Sequence, residues 1–171
     1  KNKLRHVLDF PQKGIDFIIC DHHLPAGELP QAVAVLNPKR NDCHYPFNEL
    51  SGCGVGFKFM QGYCIRQNIP LTELYPFLDL LVVSIAADLV SITGENRILA
   101  HYGLKQLNEA PRKGLLSIIK LAGLEKHQIT MDDIVFKIGP RINAAGRMES
   151  GKMAVDLLIS RTDDAALQIG H

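Results

Sequence analysis

The stretch Asp16 to Pro25 reads "DFIICDHHLP". Ile15 to Cys20 is short and mostly apolar, which predicts a buried strand. It ends on Asp21, His22 and His23 and gives way to "LPAGELP", whose prolines and glycine predict a loop. A second apolar run, "AVAVL" from Ala32 to Leu36, predicts another buried strand, stopped by Asn37 and Pro38. Upstream, Lys3 to Phe10 places Leu4, Val7 and Leu8 at helical spacing, closed by Pro11 and Gly14. Helix, strand, loop and strand in this order, with apolar strands, favour an α/β fold with a parallel sheet.

Beyond Pro46 the pattern turns helical. Helices are expected over Val55 to Gln67, Leu71 to Leu78, Asp79 to Val90, Glu95 to Asn108, Gly114 to Ala122 and Lys152 to Ser160, with a less regular one over Ile129 to Ile138. The expected fold class is therefore α/β: a small parallel sheet flanked by helices, running into a mainly helical second half. No internal repeat or low-complexity linker divides the chain, and the closing "QIGH" reads as an interrupted helix.

The totals narrow the classes. With 171 residues, 46% hydrophobic and 22% charged, the chain fits a globular domain, alone or with a piece of another. A net charge of +1 leaves anion binding to a local cluster. Cys20, Cys43, Cys53 and Cys64 form no C-x-x-C pair, which disfavours a zinc knuckle and fits a reducing, cytoplasmic setting. No apolar run is long enough to span a bilayer, so no membrane role is expected. The first residue is Lys, which suggests that the true beginning is missing.

Four stretches hold candidate chemistry. In open α/β sheets ligands bind beyond the carboxyl ends of strands, where Asp21, His22 and His23 stand. Imidazole binds divalent ions, and a neighbouring carboxylate orients its ring; the plainer alternative is a pair of polar loop histidines. In "SIAADLVSITGENR", Ser84 to Arg97, Asp88 closes an apolar helix. A carboxylate is disfavoured at a helix C-terminus unless a cation compensates, which points to a ligand rather than a solvated end. Glu95 and Asn96 read as capping and first-turn residues.

"SGCGVGFKF", Ser51 to Phe59, carries Gly52, Gly54 and Gly56 but misses the third glycine of a dinucleotide fingerprint, since Phe57 stands there. Close packing of a helix N-terminus is the better reading. "GPRINAAGRMESGK", Gly139 to Lys152, has the glycine–lysine spacing of a P-loop, yet Met153 follows in place of a hydroxyl and no apolar strand precedes it. What remains is Arg141, Asn143, Arg147 and Lys152 among small residues. Arginine forks fit phosphate oxygens and small residues allow close approach; a solvated loop is the alternative.

Together and in this order, "CDHHLP", "GCGVGFKF", "AADLVSITGENR" and "IGPRINAAGRM" resemble the DHH phosphoesterase superfamily, and closely its RecJ-type single-strand-specific exonucleases. The resemblance spans about Gly14 to Ser160, and "GPRINAAGRM" carries its RecJ-type part. It implies two divalent ions, Mn²⁺ or Mg²⁺, and 5′→3′ digestion of single-stranded DNA in repair and recombination. It also implies roles: His22 and Asp88 as metal ligands, Asp21 as support, His23 on the scissile phosphate, and Arg141, Asn143 and Arg147 on DNA phosphates.

The family's two aspartate motifs on preceding strands are absent, as is its later DNA-binding domain. The expected organisation is thus an internal portion: residues 1–110 as the second half of a DHH catalytic domain and 111–171 as a helical connection. By itself such a portion is expected to lack nuclease activity and to self-associate through an exposed sheet edge. The competing functions are a phosphodiesterase for short oligonucleotides or cyclic dinucleotides, and a non-catalytic relative that binds DNA or a replication partner.

Overall fold

The computed structural model describes residues 14–148 and 151–160. The expected helix over Lys3 to Phe10 and the "QIGH" end lie outside them. The sheet consists of two short parallel strands, β1 (Ile18–Cys20) and β2 (Ala34–Leu36), with Cys20 opposite Leu36. The pairing extends just beyond the strands: Asp21 N donates to Leu36 O at 2.9 Å and Val33 N to Phe17 O at 3.1 Å. The first of these bonds ties the residue that opens the Asp-His-His triplet to the end of β2.

Helices follow: α1 (Gly52–Arg66), a 3-10 segment Leu71–Phe77, α2 (Leu78–Ala87), α3 (Gly94–Glu109), α4 (Lys113–Leu121), the short α5 (Met131–Asp133), a π segment Ile134–Ile138, α6 (Gly139–Met148) and α7 (Gly151–Ile159). The expected helix from Leu71 is a tighter one. Pro76 lies inside it and supplies no N–H, so the chain winds as 3-10 before entering α2. Helix α2 stops at Ala87 rather than Val90, because Leu89 turns to a left-handed φ of 51°.

The largest departure concerns residues 131–148. The alternative of a solvated loop at Gly139 to Lys152 gives way to helix, since α5, the π segment and α6 run on without a break as far as Met148. Thr130 starts this run with a capping box, its hydroxyl accepting from Asp133 N while the Asp133 carboxylate accepts from Thr130 N. Pro140 explains the π segment. Its ring would press on the carbonyl four residues back, and a wider turn, with Gly139 N donating to Ile134 O, relieves that contact.

The core is helical. Helix α2 buries Leu78, Leu81, Val82, Val83, Ile85 and Ala86, nearly its whole circumference. Around it pack Phe57 and Cys64 of α1, Leu107 of α3, Leu115, Ile118 and Ile119 of α4, then Ile134, Ile138 and Leu157. This buried cluster includes residues on both sides of position 110. Two glycines let helices touch. A Cβ on Gly103 would stand 2.6 Å from Leu78 O, and one on Gly114 would stand 2.0 Å from Leu157 O. The strands form where expected but are not buried: among the described residues both lie outside this cluster, and Ile18 of β1 is 46% exposed, because the helices pack on one another rather than over the sheet.

Candidate functional site

The site assembles where β1 ends and two helices meet it. Asp21 is the first residue past β1, and a single oxygen organises the triplet: Oδ1 accepts from His22 N at 2.8 Å and from His23 N at 3.2 Å, and lies 2.8 Å from His23 Nδ1. Partial burial pulls the Asp21 carboxyl up. The hydrogen bonds from the His23 ring and from the backbone N–H groups of His23 and His22 outweigh that and hold it below the usual range. The two rings sit tilted with centroids 4.4 Å apart. Asp21 thus converts an alternating strand end, whose side chains would diverge, into a turn that gathers both imidazoles.

Asn37 closes the turn from β2. Its Nδ2 donates to His23 O at 2.8 Å and its Oδ1 accepts from Lys39 N at 2.9 Å. Asn37 is buried. In the sequence it reads only as a strand stop; the signal that could have marked it is an amide at the carboxyl end of a strand parallel to the first.

Helix α1 reaches the same point. Ser51 caps it, with its Oγ accepting from Gly54 N at 3.1 Å. The glycine reading holds at Gly52: a Cβ there would lie 3.4 Å from Cδ2 of His22, so the helix start fits closely against that ring. Asp88, the C-cap of α2, completes the cluster. Its Oδ2 accepts from Gly52 N and from Ser84 Oγ, each at 3.2 Å, and stands 3.7 Å from His22 Nε2. The unfavourable end of the α2 dipole is therefore offset by the favourable end of α1. Gly52 N and Ser84 are contributors that sequence reasoning missed: the Gly52 bond joins two segments and has no local sign, whereas Ser84 stands one turn before Asp88 in the same helix, a spacing that could have marked it.

Around this centre, His22 is mostly covered and His23 is exposed, with side-chain exposures of 15% and 78%. Among the described residues no group of three His, Cys, Asp or Glu side chains converges as a complete metal cage. Glu95 and Asn96 take structural positions. Glu95 accepts from Tyr45 Oη at 2.8 Å and pairs with Lys58 at 3.2 Å, while buried Asn96 donates to Glu49 O and Ser91 O.

The "GPRINAAGRM" segment begins beside the site. A Cβ on Gly139 would lie 4.0 Å from Ala87 Cβ, the residue before Asp88. Arg141 follows Pro140 directly and is exposed, with Nη1 donating to Lys137 O at 2.8 Å. Asn143 is exposed. The side chain of Arg147 lies outside the described residues. A separate open groove of about 990 Å³ runs between Asn37, Tyr45, Lys58 and Tyr63; it shares Asn37 with the site but none of Asp21, His22, His23 or Asp88 lines it.

Residues 2–85 match the family model described as "DHH family, N-terminal domain". The single-stranded-DNA-specific exonuclease RecJ of Bacillus subtilis is 42% identical over 147 residues, covering 86% of this chain and 18% of that protein. Its counterpart from Escherichia coli is 35% identical over 156 residues, covering 85% of this chain and 27% of that protein. This chain therefore spans only about a fifth to a quarter of the length of these curated relatives. Among solved structures, a crystal structure of exonuclease RecJ bound to manganese superposes with a TM-score of 0.81 at 25% identity, covering 98% of this chain and 42% of that one. RecJ from Thermus thermophilus in complex with Mn²⁺ gives a TM-score of 0.78 at 26% identity, covering 98% and 24%. Residues 2–85 thus match the DHH family, and over most of its length the chain is similar to RecJ exonucleases.

Proposed function

We propose that this chain carries part of the active site of a metal-dependent phosphodiester hydrolase, a 5′→3′ exonuclease on single-stranded DNA that serves repair and recombination in the cytoplasm. The observation that carries this reading is the meeting of His22 and Asp88, from segments 66 residues apart in sequence, across 3.7 Å at the carboxyl end of a parallel sheet. That gap is too long for a hydrogen bond. Two neighbouring ligands of an octahedral ion at about 2.1 Å stand about 3.0 Å apart, so a shift of less than about 1 Å would bring these donors to one ion.

The donors fit a manganese or magnesium ion: one imidazole and one carboxylate, with imidazole better matched to manganese. They supply two positions of about six, so other donors complete the shell. Divalent ions bound at such a site polarise a phosphoryl oxygen and lower the pKa of bound water. The chain's own residues do the rest. Asp21 accepts from His23 Nδ1 and so fixes the ring, leaving Nε2 directed away from that bond; in the doubly protonated ring Nε2 would donate to a phosphate oxygen. Asn37 holds the turn rigid. Arg141, with Asn143 and Arg147, takes phosphates of the strand beyond the cleaved bond. Residues 1–110 then serve as part of the catalytic domain and 111–171 as the helical connection.

The test is made in the complete protein. His22→Ala and Asp88→Ala should each lower Mn²⁺-dependent nucleotide release from single-stranded DNA by at least about 100-fold, the upper range for groups that merely support a metal. Near-normal digestion by either variant would refute the assignment. The start of "GPRINAAGRM" beside Ala87 supports a long strand over a cyclic dinucleotide, because Arg141 follows two residues on and its fork suits a phosphate beyond the first. Preferential hydrolysis of cyclic dinucleotides over long single strands would reverse that choice. Among the described residues no helix is long and apolar enough to cross a membrane.

A further inference from the structure

Among the described residues, three helices are followed by a residue in the left-handed region. After α1 it is Asn68, with φ of 55°; after α4 it is Gly123, with φ of 68°; after α2 it is Leu89, with φ of 51°. Glycine and asparagine occupy that region most readily. A leucine there crowds its Cβ against the backbone carbonyl. Two of the three helix ends therefore follow the preference and one violates it.

Nothing inside the described chain offsets the violation. The Leu89 side chain is 76% exposed and stands outside the buried cluster, whereas its neighbour Val90 packs against that cluster. The helix stop itself is made by backbone alone, with Leu89 N donating to Ala86 O at 3.3 Å, a bond that glycine would make as well. What distinguishes Leu89 is its position. It follows Asp88 directly, whose carboxylate faces His22 and the start of α1. Strained residues with unrecovered side chains collect where a ligand is held.

We propose that Leu89 is a substrate-contact residue: its side chain forms an apolar ledge for the nucleoside attached to the phosphate held at His22 and Asp88. This rests on the exonuclease reading above and deepens it. An aliphatic surface meets the face of any base without reading hydrogen-bond donors or acceptors, which suits a substrate class defined by being single-stranded rather than by sequence.

The experiment uses the complete protein with Leu89→Gly and Leu89→Met. Each is assayed with Mn²⁺ on a single-stranded oligonucleotide and on a matched one whose nucleotide at the cleaved end lacks its base. Leu89→Gly should raise KM on the normal strand by about tenfold, the effect of removing a few methylenes from a contact. Its kcat and Mn²⁺ affinity should stay near those of the wild type. Its unfolding midpoint should be unchanged or higher, because the strain is relieved. Leu89→Met should restore KM to near normal, and on the base-free end Leu89→Gly and wild type should converge. Equal KM values for Leu89→Gly and wild type on the normal strand would overturn the proposal. So would a lowered unfolding midpoint in Leu89→Gly, which would show that the side chain docks on another part of the protein. A wild type that leaves single-stranded DNA intact would instead overturn the exonuclease reading, and this proposal with it.

Discussion

At the scale of the residue, the site depends on one carboxylate oxygen. Asp21 Oδ1 gathers two backbone N–H groups and one imidazole nitrogen, so the triplet is a turn held by its own first member. Asp88 is stabilised in the same manner, by Gly52 N from another segment and by Ser84 Oγ from one turn back in its own helix. Arg141 belongs to a different task. Its guanidinium is exposed and bonded only to a carbonyl of its own helical run among the described residues, so its charge is not neutralised there by an acid. In the complete protein, Arg141→Ala should weaken binding to single-stranded DNA and reduce the slope of log affinity against log salt by about 0.7, one phosphate contact's worth of released counterions. Mn²⁺ affinity should stay as it was. Titrations at several salt concentrations check both, and an unchanged slope would remove Arg141 from the phosphate contacts.

At the scale of the element, α2 is the piece on which the site is mounted. Its N-terminal end is anchored by a buried ion pair. Asp79 has no exposed surface, and it accepts from Arg112 N at 2.9 Å, from Arg112 Nη2 at 2.8 Å and from Leu80 N at 2.7 Å. Arg112 also donates to Pro76 O and lies over the Phe77 ring. One guanidinium thereby joins the starts of α2 and α4. Arg112→Ala should destabilise the protein by about 3 kcal/mol, because it strands a buried carboxylate. Replacing both partners with apolar residues should cost much less, since no unpaired charge remains. Denaturant unfolding of the single and double variants checks this, and equal losses would show that the pair acts by packing alone.

At the scale of the whole molecule, the helical part should be sensitive to acid. Asp133 is held well below the usual carboxylate range, first by the Lys137 ammonium and then by the backbone N–H and hydroxyl of Thr130. A carboxyl depressed in the folded state contributes stability above its unfolded pKa of about 3.9, and that contribution fades as pH falls toward the folded value. Wild type should lose more stability than Asp133→Asn between pH 5 and pH 3, as roughly bracketed by that unfolded value. Parallel slopes would exclude the contribution. The sheet makes a second prediction. Among the described residues β1 has a strand neighbour on one side only, and Ile15, Ile18 and Val33 are exposed, while Arg40 Nη1 donates to Val35 O and so covers a carbonyl of β2. The 171-residue chain by itself should therefore self-associate through β1. Light scattering should show concentration-dependent dimers that Ile18→Lys suppresses; a monodisperse monomer at high concentration would count against it.

The local pattern of residues settled much of this molecule. The apolar runs at Ile18–Cys20 and Ala34–Leu36, the helical spacing of most later segments and the family motifs all depend on near neighbours in the chain, and they were legible there. The position of Asp88 at a helix end was legible for the same reason. Other features had no local sign. The continuous run through Gly139 arises because a π turn can absorb Pro140, a choice that packing of Ile134 and Ile138 into the core makes worthwhile. The Asp88 contacts with His22 and Gly52, the Asn37 brace and the Asp79–Arg112 pair each join residues from 14 to 66 positions apart. Their geometry is set by how α1 and α2 pack against the strand ends, and packing is a property of the assembled core rather than of any stretch within it.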